Sequence, residues 1–86
     1  MKFVFDPVKS ASNQAKHGID FVEAQAIWDD PFLLEAAART SDEPRFVAIG
    51  RIDGRCWTAV WTCQDDAVRI ISVRRARKEE IAAYEG

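Results

Sequence analysis

Arg45-Phe46-Val47-Ala48-Ile49-Gly50-Arg51-Ile52-Asp53-Gly54-Arg55-Cys56-Trp57-Thr58-Ala59-Val60-Trp61-Thr62-Cys63 is the stretch on which the fold turns. Two runs rich in β-branched and aromatic residues flank Asp53-Gly54, the dipeptide that a two-residue hairpin turn prefers because both of its positions need positive φ. Such a turn fixes the register. Gly50 then faces Trp57, Ala48 faces Ala59 and Phe46 faces Trp61 on one side of the sheet, while Arg51 faces Cys56 and Ile49 faces Thr58 on the other. The first side is apolar and should meet helices. The second carries Arg51, Thr58 and Thr62 and is expected to stay open for function.

Working outward, Gln64-Asp65-Asp66-Ala67 predicts another turn, a strand over residues 68–75, and a closing helix over residues 77–84. An even hairpin would add Arg69 and Arg75 to the polar side, whereas a bulge near residues 64–67 would put Arg74 there instead. Upstream, Thr40-Ser41-Asp42-Glu43-Pro44 predicts a turn. Residues 32–39 contain Leu-Leu-Glu-Ala-Ala-Ala, which favours helix by propensity, but their place before that turn suits a strand, and strand is the reading adopted. Pro31 stops a helix that begins at Asp20, where Glu23 completes a capping box and Phe21, Ala24, Ile27 and Trp28 recur at helical spacing. Asp6-Pro7 starts an earlier helix running to Lys16 and closed by Gly18, and residues 2–5 form a short strand before it. The expected plan is a two-layer α+β domain, with an N-terminal strand and two helices packed on an antiparallel sheet and a short C-terminal helix.

Eighty-six residues make one domain, 1–86, since a core split in two would leave each half near the roughly 40 residues below which chains rarely fold unaided. Hydrophobic residues at 48% and charged residues at 30% exclude a disordered chain or a fibre. No apolar run resembles a signal peptide or approaches the ~20 residues that span a bilayer, so a cytoplasmic protein is expected. Cys56 and Cys63 lie about 23 Å apart along one strand and lack His or Cys neighbours at ligand spacing, which argues against both a disulfide and a zinc site.

The net charge of −2 hides an asymmetry: residues 1–43 hold four Lys and Arg against eight Asp and Glu, while residues 44–86 hold eight against six. Arg69, Arg74, Arg75, Arg77 and Lys78 crowd the second half, and a basic patch on an acidic chain can still attract polyanions. There is no Gly-rich phosphate loop, no metal-carboxylate pair and no nucleophile elbow, and His17 is the single histidine. What remains is a set of cations at element ends, Lys9, Lys16, His17, Arg51, Arg69, Arg74 and Arg75, suited to holding a phosphodiester and stabilising charge on it.

Phe5-Asp6-Pro7-Val8-Lys9, then Asn13, Lys16-His17-Gly18 and Phe21, together with Asp30-Pro31, Arg45 to Arg51, the block Arg69-Ile70-Ile71-Ser72-Val73-Arg74-Arg75-Ala76, Glu80 and Tyr84, resemble the BrnT toxin family over essentially the whole chain. Phe5 stands where that family commonly has Trp, and Val73 where it has Ala. The resemblance implies a RelE/ParE-like fold and the toxin half of a type II toxin–antitoxin module: a ribonuclease that inhibits translation and growth and is neutralised by a BrnA-like antitoxin. That antitoxin would supply the contact to operator DNA. No cofactor and no membrane association are implied.

By the resemblance, cleavage is metal-independent attack of a ribose 2′-hydroxyl on the adjacent phosphate, which needs a base, cations for the phosphorane and an acid for the leaving oxygen. Arg74 and Arg51 are assigned as charge stabilisers, Lys16 or His17 as the proton-transfer group, and Lys9, Arg69, Arg75 and Tyr84 as RNA contacts. Competing structural readings exist for each. Arg74 could lie over Trp57 as a cation–π pair, Arg69 could pair across the strands with Thr62, Lys9 and Lys16 could be solvated helix lysines, and Tyr84 could simply pack the last helix. Two other functions share the same features: a ParE-like poison of a topoisomerase, and a non-catalytic module whose basic face docks nucleic acid.

Overall fold

The computed structural model describes residues 1–39 and 42–86. The elements run β1 (Phe3–Val4), α1 (Pro7–His17), a 3-10 helix (Glu23–Asp29), β2 (Leu34–Ala38), β3 (Arg45–Ile52), β4 (Arg55–Gln64), β5 (Ala67–Arg75) and α2 (Lys78–Glu85). They build one five-stranded sheet in the order β1-β5-β4-β3-β2. Of the turn expected over residues 40–44, Thr40 and Ser41 lie outside the described residues.

The Asp53-Gly54 hairpin forms with the expected register, from Ile52 opposite Arg55 to Phe46 opposite Trp61. Asp53 and Gly54 sit at φ 50° and 81°, the double positive that this turn requires. Residues 34–38 are a strand, antiparallel to β3, because five backbone pairings with β3 outweigh the helical propensity of Leu-Glu-Ala-Ala-Ala. The sheet is mixed rather than antiparallel. The meander leaves the outer edge of β5 open, and β1 fills it in parallel, Phe3 beside Val68 and Val4 beside Arg69, with the Val68 amide donating to the Lys2 carbonyl at 2.8 Å.

α1 starts as expected, the Asp6 carboxylate accepting from the Val8 amide at 2.8 Å, and ends at Gly18 in the left-handed region. Its inward face is polar. Ser10 accepts from the Phe21 amide at 2.9 Å, and Asn13 donates to the Ile19 carbonyl at 2.9 Å while accepting from the Val73 amide at 3.1 Å. β1 covers β5 only at Val68 and Arg69, so further along that edge the Asn13 side chain stands in for a neighbouring strand.

The reciprocal cap at Asp20 and Glu23 forms, with bonds of 2.7 and 3.1 Å, but the helix it introduces is 3-10 and spans only Glu23–Asp29. Ala24 and Ile27, three residues apart and fully buried, share one side of a three-residue turn. They join Phe21, Ala48, Ala59, Ile70, Val73, Trp57 and Trp61 in the core between these helices and the sheet. Gly50 lets the 3-10 helix approach β3 closely: a Cβ at that position would meet the Ile27 carbonyl oxygen at 2.8 Å.

Helices do not keep to one face, contrary to the two-layer expectation. α2 lies over the opposite side of the sheet at the end holding Arg51 and Thr58, where Ile49, Cys56 and Thr58 are buried outside the main core cluster. Three well-formed charged and polar links tie it there, so the polar face is half covered rather than open.

Candidate active site

The second hairpin turns at Asp65-Asp66, both at positive φ, with Gln64 opposite Ala67, so Arg69 lies opposite Thr62 on the polar face as an even hairpin demands. A register shift between Val60 and Trp61 then inverts the remainder of β5. Beyond it Arg74 lies opposite Thr58 on the polar face, and Arg75 lies opposite Trp57. The bulge therefore falls in mid-strand rather than near residues 64–67, and Arg69 and Arg74 share a face that neither simple register allowed.

Arg74 meets α2. Its two terminal nitrogens donate to the two Glu80 oxygens at 2.7 and 2.9 Å, and Nη1 also reaches the Arg75 carbonyl at 3.3 Å. Glu80 further accepts from the Thr58 hydroxyl at 3.1 Å and the Arg77 amide at 2.8 Å. These bonds, the Arg74 guanidinium first, hold the Glu80 carboxyl down at about 2. A carboxylate that acidic is a poor proton acceptor near neutral pH, so Glu80 orients Arg74 rather than serving as a base. The cation–π contact considered for Arg74 is made by Arg75, which sits 5.6 Å over the Trp57 ring.

Arg51 and Tyr84 meet at the same end of the sheet. The Arg51 guanidinium lies 5.4 Å over the Tyr84 ring and donates to Glu85 at 2.8 Å. Asp30, at the end of the 3-10 helix, accepts from the Arg51 amide at 2.8 Å, from the Phe32 amide at 2.8 Å and from the Tyr84 hydroxyl. The Tyr84 hydroxyl bond, aided by the two amides, keeps the Asp30 carboxyl below its usual range, and the same bond raises the Tyr84 hydroxyl. Glu80 and Glu85 are five residues apart on α2, roughly 7.5 Å along the axis. That helix thus engages both Arg74 of β5 and Arg51 of β3, on either side of β4.

Lys9, Lys16 and His17 project from α1 into a groove closed on its far side by Ile71 and Ser72 of β5. Ser72, at the end of that groove, is two residues before Arg74 on the same strand face, about 6–7 Å from it along the strand. Arg69 is apart from both groups, half-buried in a cleft with Val4, Phe5, Asp6 and Gln64. Of the eight residues nominated from sequence, then, Arg51, Arg74 and Tyr84 gather under α2, Lys9, Lys16 and His17 gather along α1, and Arg69 and Arg75 stand outside both groups. Among the described residues no group of three or more His, Cys, Asp or Glu converges as a metal site.

Residues 5–80 match the family described as ribonuclease toxin, BrnT, of type II toxin–antitoxin system. The chain belongs to the BrnT family. No curated protein matches it. The BrnT match takes in α1, the bulged β5 and Glu80, and ends before Tyr84 and Glu85, so the α1 groove and the Arg74–Glu80 pair fall inside the family region, whereas the Tyr84 end of α2 falls beyond it. Membership makes the chain a ribonuclease toxin of a type II system with an antitoxin as partner. No helix among the described residues is long and apolar enough to cross a membrane.

Four residues of this region escaped the sequence reading as site members: Asp30, Phe32, Glu80 and Glu85. Asp30 enters only with Pro31 as part of the family resemblance, the helix stop being assigned to Pro31. Glu80 enters only as one of the residues that carry the family resemblance, with no role assigned; an acidic residue in the first turn of a helix is common. Its spacing of six from Arg74 spans a strand end and a helix start, and no simple periodicity links those positions.

Proposed function

We propose that this BrnT protein is an endoribonuclease of RelE/ParE-like architecture that cleaves RNA without a metal ion, inhibits translation in the cytoplasm, and is neutralised by a BrnA-like antitoxin through which alone it meets operator DNA. The observation that carries the reading is that the α1 groove and Arg74 border one strand segment, Ile71 to Arg74, which brings candidate proton-transfer and phosphate-binding groups to neighbouring positions of β5. In the proposed step His17 or Lys16 takes the proton of a ribose 2′-hydroxyl. The 2′-oxygen bonds to the adjacent phosphorus, the bond to the 5′-oxygen breaks, and a protonated side chain of the same groove supplies the proton that the leaving oxygen needs. Arg74 and Arg51 meet the charge that develops on the phosphorane, while Lys9 and Arg69 hold the flanking backbone.

The test is incubation of end-labelled RNA with purified, antitoxin-free protein in excess chelator. Fragments ending in 2′,3′-cyclic phosphate are expected, with a rate about 10²–10³ lower for Arg74→Ala if one charge-stabilising donor is lost. Arg74→Lys, which keeps the charge but not the two-pronged grip on Glu80, should recover only part of it. Added cognate antitoxin should stop cleavage. Intact RNA from folded wild-type protein would instead assign the toxicity to cleavage on the ribosome or to a topoisomerase.

A further inference from the structure

One carboxylate organises a cleft on the surface beneath α2. Asp30 Oδ1 accepts from the Phe32 amide, and Oδ2 accepts from the Arg51 amide and the Tyr84 hydroxyl. The three residues that donate to it, with Glu85, line a single open cleft. Phe32 is 75% exposed although its backbone is pinned by that bond. A scattered exposed aromatic needs no explanation, but one whose backbone amide is held and which shares a cleft with a tyrosine ring already capped by a guanidinium is a built arrangement. The Arg51–Glu85 contact of 2.8 Å sets hydrogen-bond donors beside acceptors at the same opening.

We propose that the Phe32, Arg51, Tyr84 and Glu85 cleft is a nucleobase subsite of the ribonuclease, with Asp30 as its positioning residue. The proposal rests on the ribonuclease reading above. Every base offers a π face for an aromatic ring or a guanidinium plane, and its edge sets donors beside acceptors, as the Arg51–Glu85 pair does in reverse. A base seated here keeps its own phosphate near Arg51, the residue assigned to phosphate charge. A protein segment is the less suitable occupant: an anchor pocket for an apolar side chain would be lined by apolar groups, and this cleft has an ion pair in its wall.

The probe is an end-labelled, fully 2′-O-methylated octanucleotide of mixed sequence, which lacks the attacking hydroxyl and so reports binding alone. Affinities are measured for the wild type and for Phe32→Ala, Phe32→Leu and Phe32→Trp at one low salt concentration, beside cleavage of the unmodified RNA. Loss of one stacked base should weaken binding about 5- to 150-fold for both Ala and Leu. Phe32→Trp should retain affinity, and its emission should be quenched by the oligonucleotide. Because the side chain is exposed, all three variants should melt within about 4 °C of the wild type. Equal affinity of Phe32→Ala and wild type, with RNA still bound and cleaved, would overturn the subsite alone and leave the ring as a protein contact. Loss with Ala but not Leu would overturn stacking in favour of apolar contact. A wild type that neither binds nor cleaves RNA would bring down the ribonuclease reading and the subsite with it.

Discussion

Replacing Glu80 by Gln removes one charge and little volume, and the structure gives the size of the effect. Four hydrogen bonds, two from Arg74 and one each from Thr58 and Arg77, hold the carboxyl at about 2 against an ordinary 4.5. At 1.36 kcal/mol per pH unit that gap corresponds to about 3 kcal/mol favouring the folded state when Glu80 is ionised. The Arg74 and Glu80 side chains keep 27% and 18% of their surface in water, so screening reduces the net effect to about 1–2 kcal/mol. Gln keeps a carbonyl for part of the network but not the attraction to the guanidinium. The urea midpoint at pH 7 should therefore fall by about 1–2 M if the slope is near 1 kcal/mol per molar, read from the emission of the buried Trp57 and Trp61. The carboxyl is depressed on folding, so its stabilisation is complete above about 4.5 and is lost as pH falls toward 2. By pH 3 about two fifths of the wild-type advantage should remain. An advantage equal at pH 7 and pH 3, or absent at pH 7, would refute the view that this ion pair fastens α2.

Asn13→Ala should cost about 2–4 kcal/mol, because it leaves the buried Val73 amide and Ile19 carbonyl without partners; hydrogen exchange of the Val73 amide would accelerate in step with global stability loss. Gly50→Ala should destabilise by about 1–3 kcal/mol, since the new Cβ would stand 2.8 Å from the Ile27 carbonyl oxygen and 3.1 Å from its Cγ2, and denaturant unfolding would measure it. A Gly50→Ala protein as stable as the wild type would show that the 3-10 helix can retreat from β3 without loss.

The hairpin register was legible because Asp53-Gly54 fixes a two-residue turn, and every face assignment along β3 and β4 follows from that one constraint. The bulge in β5 left a fainter trace. In a regular strand paired as Gln64 to Ala67 begins, Ser72 and Arg74 would fall on the core face behind Val68 and Ile70, while Val73 pointed away. One extra residue buries Val73 completely and releases Arg74. Sequence patterning showed that conflict but not where it would be resolved. The parallel pairing of β1 and the place of α2 depend on contacts between residues 60 or more apart, such as Val73 with Asn13, and on Glu80 meeting Thr58, and no local spacing encodes them. Local signals did mark Asp6-Pro7, Gly18 and the Asp20–Glu23 cap. They could not tell a 3-10 helix from an α-helix, because residues three apart are neighbours in both.

On the ribonuclease reading, α2 also divides the labour between the two arginines. The Arg51–Glu85 pair is about half exposed on each side and weakly held against water, so the remaining donors of Arg51 are free to turn toward an incoming phosphate. The Arg74–Glu80 pair is more enclosed and is reinforced by Thr58 and Arg77, so a phosphate does not readily replace Glu80. A guanidinium carries five N–H groups, and Arg74 commits two to Glu80 and one to the Arg75 carbonyl. Two donors remain, on a planar group that its partner prevents from turning. Arg51 is thus suited to contribute charge, and Arg74 to contribute direction. The substitution series on Arg74 separates those roles, because lysine restores charge without direction.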